Sequence, residues 1–138
     1  MNRVTSEIVE SIARDQIFVF GSNEAGRHGK GAAKLARKWG AEYGNPSGRQ
    51  GSTYAIPTKD KKVKTLPIEN IKTYVDQFIS YAEDNPEFHF LVTEIGCGLA
   101  GYHPSDIAPL FSHAINIENI WLPIRFWHIL NGVNVQQA

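Results

Sequence analysis

Residues 16–39 read QIFVFGSNEAGRHGKGAAKLARKW, and the fold follows from how this stretch divides. Gln16 to Phe20 is a short β-rich run that stops at Gly21, the pattern of a buried strand opening into a loop. From Ala32 onward Leu35, Ala36 and Trp39 fall on one helical face while Lys34, Arg37 and Lys38 fall elsewhere, which predicts a helix ended by Gly44 and Pro46. Between strand and helix lies GSNEAGRHGKG, whose glycines Gly21, Gly26, Gly29 and Gly31 let the backbone approach a ligand closely and turn N–H groups towards it. Such a loop suits an anion. It carries the G-x-x-x-x-G part of a P-loop from Gly21 to Gly26, but Arg27 and His28 stand where a lysine and a hydroxyl residue would reach the outer phosphates and magnesium, which argues against NTP hydrolysis. The dinucleotide fingerprint fails as well, because the glycines from Gly26 read G-x-x-G-x-G.

Outward from this unit the same theme repeats. A polar stretch, Asn45 to Ser52, leads to a predicted strand at Tyr54 to Pro57, and the lysine-rich Thr58 to Lys64 reads as a turn. Ile68, Ile71, Val75, Phe78, Ile79 and Ala82 then draw one stripe at steps of three and four, so a helix runs from near Pro67 to about Asp84. Phe88 to Ile95 (FHFLVTEI) predicts a central strand. Behind it GCGLAGYHP from Gly96 is a second glycine loop, and a helix follows that carries Ile107, Leu110, Phe111 and Ala114, with Pro109 in its first turn. A last strand is expected over Ile124 to Leu130. On the N-terminal side Ile8, Val9 and Ile12 suit a short amphipathic helix before Asp15, or a strand. Strands alternating with crossover-length helices imply a mostly parallel sheet covered on both faces. The loops after Phe20, Pro57 and Ile95 should then share the rim at the carboxyl ends of the strands, two amide arrays facing each other across one cleft as a diphosphate requires.

The loops bring a family into view. IFVFGSNEAGRHGKGAAKLA resembles the first strand and catalytic loop of macrodomains, LVTEIGCGLAGYHP resembles their second phosphate loop, and YAIPTK with TLPIENI is similar to the subfamily of terminal ADP-ribose protein glycohydrolases and the antitoxins that remove ADP-ribose from DNA. The resemblance covers about three quarters of the chain and implies a three-layer α/β/α macrodomain-like fold, α/β in class, with a mostly parallel mixed sheet cut back at the N-terminus. It implies that Asn23 touches the distal ribose and that Gly21, Ser22, Arg27, His28, Gly29, Lys30 and Gly31 belong to the first ligand-binding loop. It makes Gly96, Cys97, Gly98, Leu99, Ala100 and Gly101 the second, with Lys59 at the place of the lysine that attacks or positions the anomeric carbon. An amine there forms an adduct with an opened ribose if desolvation or neighbouring cations such as Lys61 and Lys62 lower its pKa. The plainer reading of Lys59 is a solvated lysine in a charged turn. Tyr102 either stacks on a sugar or packs against the helix below it.

Two features depart from the family pattern. Ala100 stands where the subfamily carries an acid directly after GCGL, leaving Glu94 and His103 as the candidate catalytic acids beside Lys59. The Gly-Asp-Ile segment that macrodomains use near the adenine amino group is missing, so a modified or cyclic ADP-ribose, or another nucleotide sugar, also fits. The expectation is a module that binds ADP-ribose or a derived nucleotide. The alternatives are an ADP-ribosyl glycohydrolase acting through Lys59 on modified protein or DNA, and an interaction protein with no small ligand.

Composition sets the outer limits. The 138 residues fit one domain, 1–138, and a hydrophobic fraction of 42% with three tryptophans supplies one core. Lys plus Arg equals Asp plus Glu at 14 each, so no global basic field attracts nucleic acid and any phosphate site is local. Cys97 is the only cysteine, which excludes an internal disulfide and fits a reducing compartment; as a nucleophile it competes with the reading of a small buried residue. The five histidines show no metal-ligand spacing, and no metal or cofactor is expected. No run approaches the roughly 20 apolar residues of a membrane span, and Glu7, Glu10 and Asp15 interrupt any signal-like start. A cytoplasmic protein without membrane partners is the expectation.

Overall fold

In the computed structural model, which describes residues 3–131, six strands form one mixed sheet in the order β1-β6-β5-β2-β4-β3. They are β1 (Val4–Thr5), β2 (Gln16–Asn23), β3 (Gly48–Gln50), β4 (Thr53–Lys59), β5 (His89–Val92) and β6 (Ile120–Pro123). All pairings are parallel except that of β3 with β4. The α-helices are α1 (Gly31–Ala36), α2 (Ile68–Asp84), α3 (Pro104–Ile107) and α4 (Ile124–Leu130), and 3₁₀ segments continue α1 over Arg37–Trp39 and α3 over Ala108–Asn116. No described helix is long and apolar enough to cross a membrane.

The pleat of β2 builds the layers. Ile17 and Val19 point into a large cluster with Phe78 of α2, Phe90 of β5, Phe111 and Phe126, whereas Phe18 and Phe20 point the other way, onto Ala33 and Ala36 of α1. Helices therefore cover both faces, the α/β/α arrangement expected. The α2 stripe is buried as its spacing predicts, at Ile71, Val75, Phe78, Ile79 and Ala82. Each of its four larger side chains contributes about 1.5–3 kcal/mol by leaving water.

Local chemistry explains where expectation and structure part. Residues 6–13 form neither helix nor strand, and Ile8 stays 73% exposed; the N-terminal strand is instead Val4–Thr5, paired with β6. The polar stretch after Asn45 contains the edge strand β3, because Gln50 turns its amide inward to donate to the Asn45 carbonyl and to accept from the Glu42 N–H. The strand expected to reach Ile95 ends at Val92. The helix expected to begin near Pro109 begins at Pro104, and Pro109 opens the 3₁₀ segment, where its missing N–H breaks no α-helical bond. The strand expected over Ile124 to Leu130 is helix α4. A short run this rich in apolar residues mimics a buried strand, but Pro123 (φ −60°, ψ 151°) ends the ladder of β6 and stands as the helix N-cap. The strand it displaced is IWLP, with Ile120 and Leu122 fully buried.

Strand order fixes where a ligand can sit. From β2 the chain passes through α1 towards β4, and from β5 it passes through α3 towards β6. Adjacent strands β2 and β5 therefore send their connections in opposite directions, and the crevice beyond their carboxyl ends is the topological switch point at which open α/β sheets bind ligands.

Candidate functional site

A cleft of about 570 Å³ opens at that switch point, within the range of about 300–1,000 Å³ usual for small-molecule sites. Its floor is where the two glycine loops meet: a Cβ on Gly21 would lie 3.6 Å from the Gly96 nitrogen and 3.6 Å from Thr58 Oγ1. Gly96 has φ +75°, and a Cβ there would come within 2.9 Å of Ile107 Cδ1, so only glycine closes this turn without displacing the core. Gly29, Gly31 and Gly98 are different. A Cβ on any of the three would meet nothing within 4 Å, which is the geometry of backbone left bare towards a ligand.

The first loop is held open by its own side chains. Asn23, 8% exposed, accepts from the Ala25 and Arg27 N–H groups at 3.2 and 3.0 Å and donates to the Arg27 carbonyl at 2.9 Å. Both lone-pair directions of its oxygen are thus used, and one amide hydrogen remains for the cleft. Ser22 donates to the Pro46 carbonyl (2.6 Å), and the Glu24 carboxylate accepts from the Tyr74 hydroxyl of α2 (2.6 Å). After this braced stretch the N–H groups of residues 29–33 donate to no protein acceptor among the described residues, and neither do those of residues 98–100 in the second loop. All of these residues line the cleft, together with the cations Arg27, Lys30 and Lys59. A chain of zero formal charge thus gathers positive charge and bare amides in one place.

Of the residues singled out from sequence, Gly21, Ser22, Asn23, Arg27, Gly29, Lys30, Gly31, Lys59, Glu94, Gly96, Gly98, Leu99 and Ala100 line the cleft. Five do not. His28 is fully buried under the first loop, its Nε2 3.0 Å from the Asn45 carbonyl and its ring edge-on to Phe20, and burial lowers its pKa below 6.5. Cys97 packs against the main core; burial, then the nearby Glu94 charge, push its thiol up to about 11, which leaves it protonated and inert at neutral pH. The Gly101 N–H is spent on the Gly98 carbonyl. Tyr102 donates its hydroxyl to the Leu66 carbonyl (2.7 Å) and packs on the core, so of its two readings the packing one describes it. His103 lies at the start of α3, exposed, with its N–H donating to Asp106 Oδ2 (3.1 Å).

The candidate acids fare accordingly. His103 is outside the cleft. Glu94 is inside, but both of its oxygens are held by Arg125 of α4, Nε to Oε2 at 2.7 Å and Nη2 to Oε1 at 2.5 Å. A bidentate guanidinium clamp engages both carboxylate oxygens as hydrogen-bond acceptors. Lys59 closes β4, and its carbonyl receives the Glu24 N–H (2.8 Å), while Lys61 and Lys62 project from an exposed turn tied by Asp60. No group of three or more His, Cys, Asp and Glu side chains among the described residues is placed to hold a metal.

Sequence reasoning missed three apolar residues on the cleft: Tyr43 (61% exposed), Val63 (39%) and Leu99 as an apolar contact rather than a loop amide (68%). Val63 is the one non-glycine residue with positive φ among those described (+63°), a conformation costly for a β-branched side chain. Asp60 forces it there by accepting from the Lys62 and Lys64 N–H groups. An aromatic between Glu42 and Gly44, in a run rich in turn residues, was the available signal for Tyr43.

Scans against known protein families and curated proteins find no match. Among solved structures, the chain is similar to a protein of unknown function from Bacteroides thetaiotaomicron, with 14% identity and a TM-score of 0.57, covering 83% of this chain and 88% of that one. That likeness speaks to the α/β fold.

Proposed function

We propose that the cleft binds ADP-ribose or an ADP-ribose-derived nucleotide by its diphosphate, free or carried on modified protein or DNA, in a cytoplasmic setting. The observation that carries this reading is the pair of unpaired amide runs, residues 29–33 and 98–100, lining one cleft, with Gly29, Gly31 and Gly98 free of any contact a Cβ would make. Amide arrays of this kind bind phosphate oxygens in fixed directions, and Arg27, Lys30 and Lys59 supply the countercharge. The resemblance of both loops to macrodomain phosphate loops makes ADP-ribose the first ligand to try. Calorimetric titration with ADP-ribose, its cyclic and phosphorylated forms and NAD is the test; absence of binding by all of them at high micromolar protein would reject the reading.

The glycohydrolase reading rests on Lys59, which lines the cleft. Against it, Glu94 is the one carboxylate among the described lining residues, and Arg125 holds it. General acid assistance supplies about 10²–10⁴-fold in rate, so a site without it is better suited to holding the ligand than to cleaving it. Binding is the function we put forward.

A further inference from the structure

Five large apolar side chains are strongly exposed among the described residues, and three of them, Tyr43, Val63 and Leu99, stand on this one cleft. The three belong to two separately anchored rims. Val63 and Leu99 share a rim, since Thr65 Oγ1 donates to the Ala100 carbonyl (2.7 Å) and so ties the turn after β4 to the second loop. Tyr43 belongs to the first loop, because the Gly44 N–H donates to the Gly26 carbonyl (2.7 Å) and the buried His28 bonds the Asn45 carbonyl.

Tyr43 is braced like a platform. The Arg37 guanidinium lies over its ring, 5.6 Å from the centroid, and His28 meets it edge-on at 6.4 Å. With Arg37 over the ring and the residue 61% exposed on the cleft lining, Tyr43 presents aromatic surface to a flat group there. A cation behind an aromatic ring strengthens its hold on a stacked heterocycle. The polar groups flanking Tyr43 are already engaged with one another: the Glu42 N–H with Gln50 Oε1, Glu42 Oε1 with the Asn45 amide, and the Asn45 carbonyl with both His28 and Gln50. These bonds brace the loop behind Tyr43, and the ring itself offers a base its π-face.

We propose that Tyr43 is a stacking subsite that accepts any nucleobase, so that the ligand class of the cleft is nucleoside diphosphate compounds in general, adenine forms being one case. The proposal rests on the diphosphate reading above and widens it. Every base has a π-face, so stacking confers affinity with little discrimination. The test titrates ADP, GDP, UDP, ADP-ribose and inorganic pyrophosphate into the unchanged protein and into Tyr43→Ala, Tyr43→Phe and Gly98→Glu. The three nucleoside diphosphates should bind within about tenfold of one another. Tyr43→Ala should weaken all three by about 5- to 150-fold and leave pyrophosphate unchanged, Tyr43→Phe should bind like the unchanged protein, and Gly98→Glu should remove binding of every probe. If Tyr43→Ala changes no affinity while Gly98→Glu abolishes binding, the diphosphate site stands and the stacking subsite is wrong. A preference above 100-fold for ADP over both GDP and UDP also overturns the proposal, since a base edge is then being read. If no probe binds the unchanged protein, the diphosphate reading fails and the subsite fails with it.

Discussion

A single carboxylate placed on the second loop separates ligand site from fold. Gly98 has no positive φ, and a Cβ built on it meets no atom within 4 Å, so Gly98→Glu introduces neither backbone strain nor a clash. Surface changes of this kind shift stability by no more than about 0.5 kcal/mol, roughly 2 °C in melting temperature for a chain of this size. The ligand experiences something else. A glutamate carboxylate about 5 Å from a phosphate charge, at an effective dielectric near 20, costs about 3 kcal/mol, or more than 100-fold in affinity before the displaced volume is counted. Gly31→Glu, on the first loop, should act in the same direction, with an added backbone cost of about 1–2 kcal/mol because Gly31 has φ +57°. Titration calorimetry with ADP-ribose, beside thermal melts of each variant without ligand, measures both quantities. Unchanged affinity in both variants refutes the diphosphate reading; a collapsed melt for Gly98→Glu refutes the claim that this glycine faces open space.

Three further outcomes follow from the same geometry. Incubated with ADP-ribosylated protein or DNA, the protein should release ADP-ribose slowly or not at all, and Ala100→Asp should raise the rate; rapid release abolished by Lys59→Ala would make it a glycohydrolase after all. His28 is buried with Nδ1 unpaired, and its folded-state pKa lies below 6.5, lowered chiefly by burial and opposed by its bonds to the 42–45 segment. Its neutral form therefore adds stability at pH above about 6.5 that drains away as pH falls towards the lowered folded value; His28→Phe should remove this pH dependence in urea melts, and an unchanged slope would show that His28 is not its source. Gly96→Ala combines a positive-φ cost of about 1–2 kcal/mol with overpacking against Ile107 of about 1–3 kcal/mol, so its urea midpoint should fall sharply, and a midpoint within error of the unchanged protein would mean that Ile107 yields freely.

Periodicity was informative wherever one surface was apolar and continuous. The α2 stripe from Ile68 to Ala82 is read correctly to within a residue because nothing but burial decides it. Residues 124–130 mislead for the opposite reason: a short, mostly apolar run fits a buried strand as well as a short helix, and Pro123, which ends β6 and opens α4, settles the matter only when β6 is known to have Val4 and Thr5 as partners. The same holds at the site. Glycine content located both loops, and with them most of the cleft lining, because bare backbone has to be written as glycine.

What the sequence determined by itself was the repeated strand, glycine loop and helix, and hence an α/β sheet with two glycine loops at the strand ends, since these depend on local spacing and on residues with no side chain. What only the tertiary structure decided was the company each side chain keeps. Arg125 is 31 residues from Glu94 and takes its carboxylate; Leu66 takes the Tyr102 hydroxyl from 36 residues away; His28 goes under the loop rather than into the cleft, and Tyr43 comes to stand on its rim. Such pairings are set by the crossing of chain segments far apart in sequence, where no period of 2 or 3.6 carries information, and they determine which groups remain free to meet a ligand.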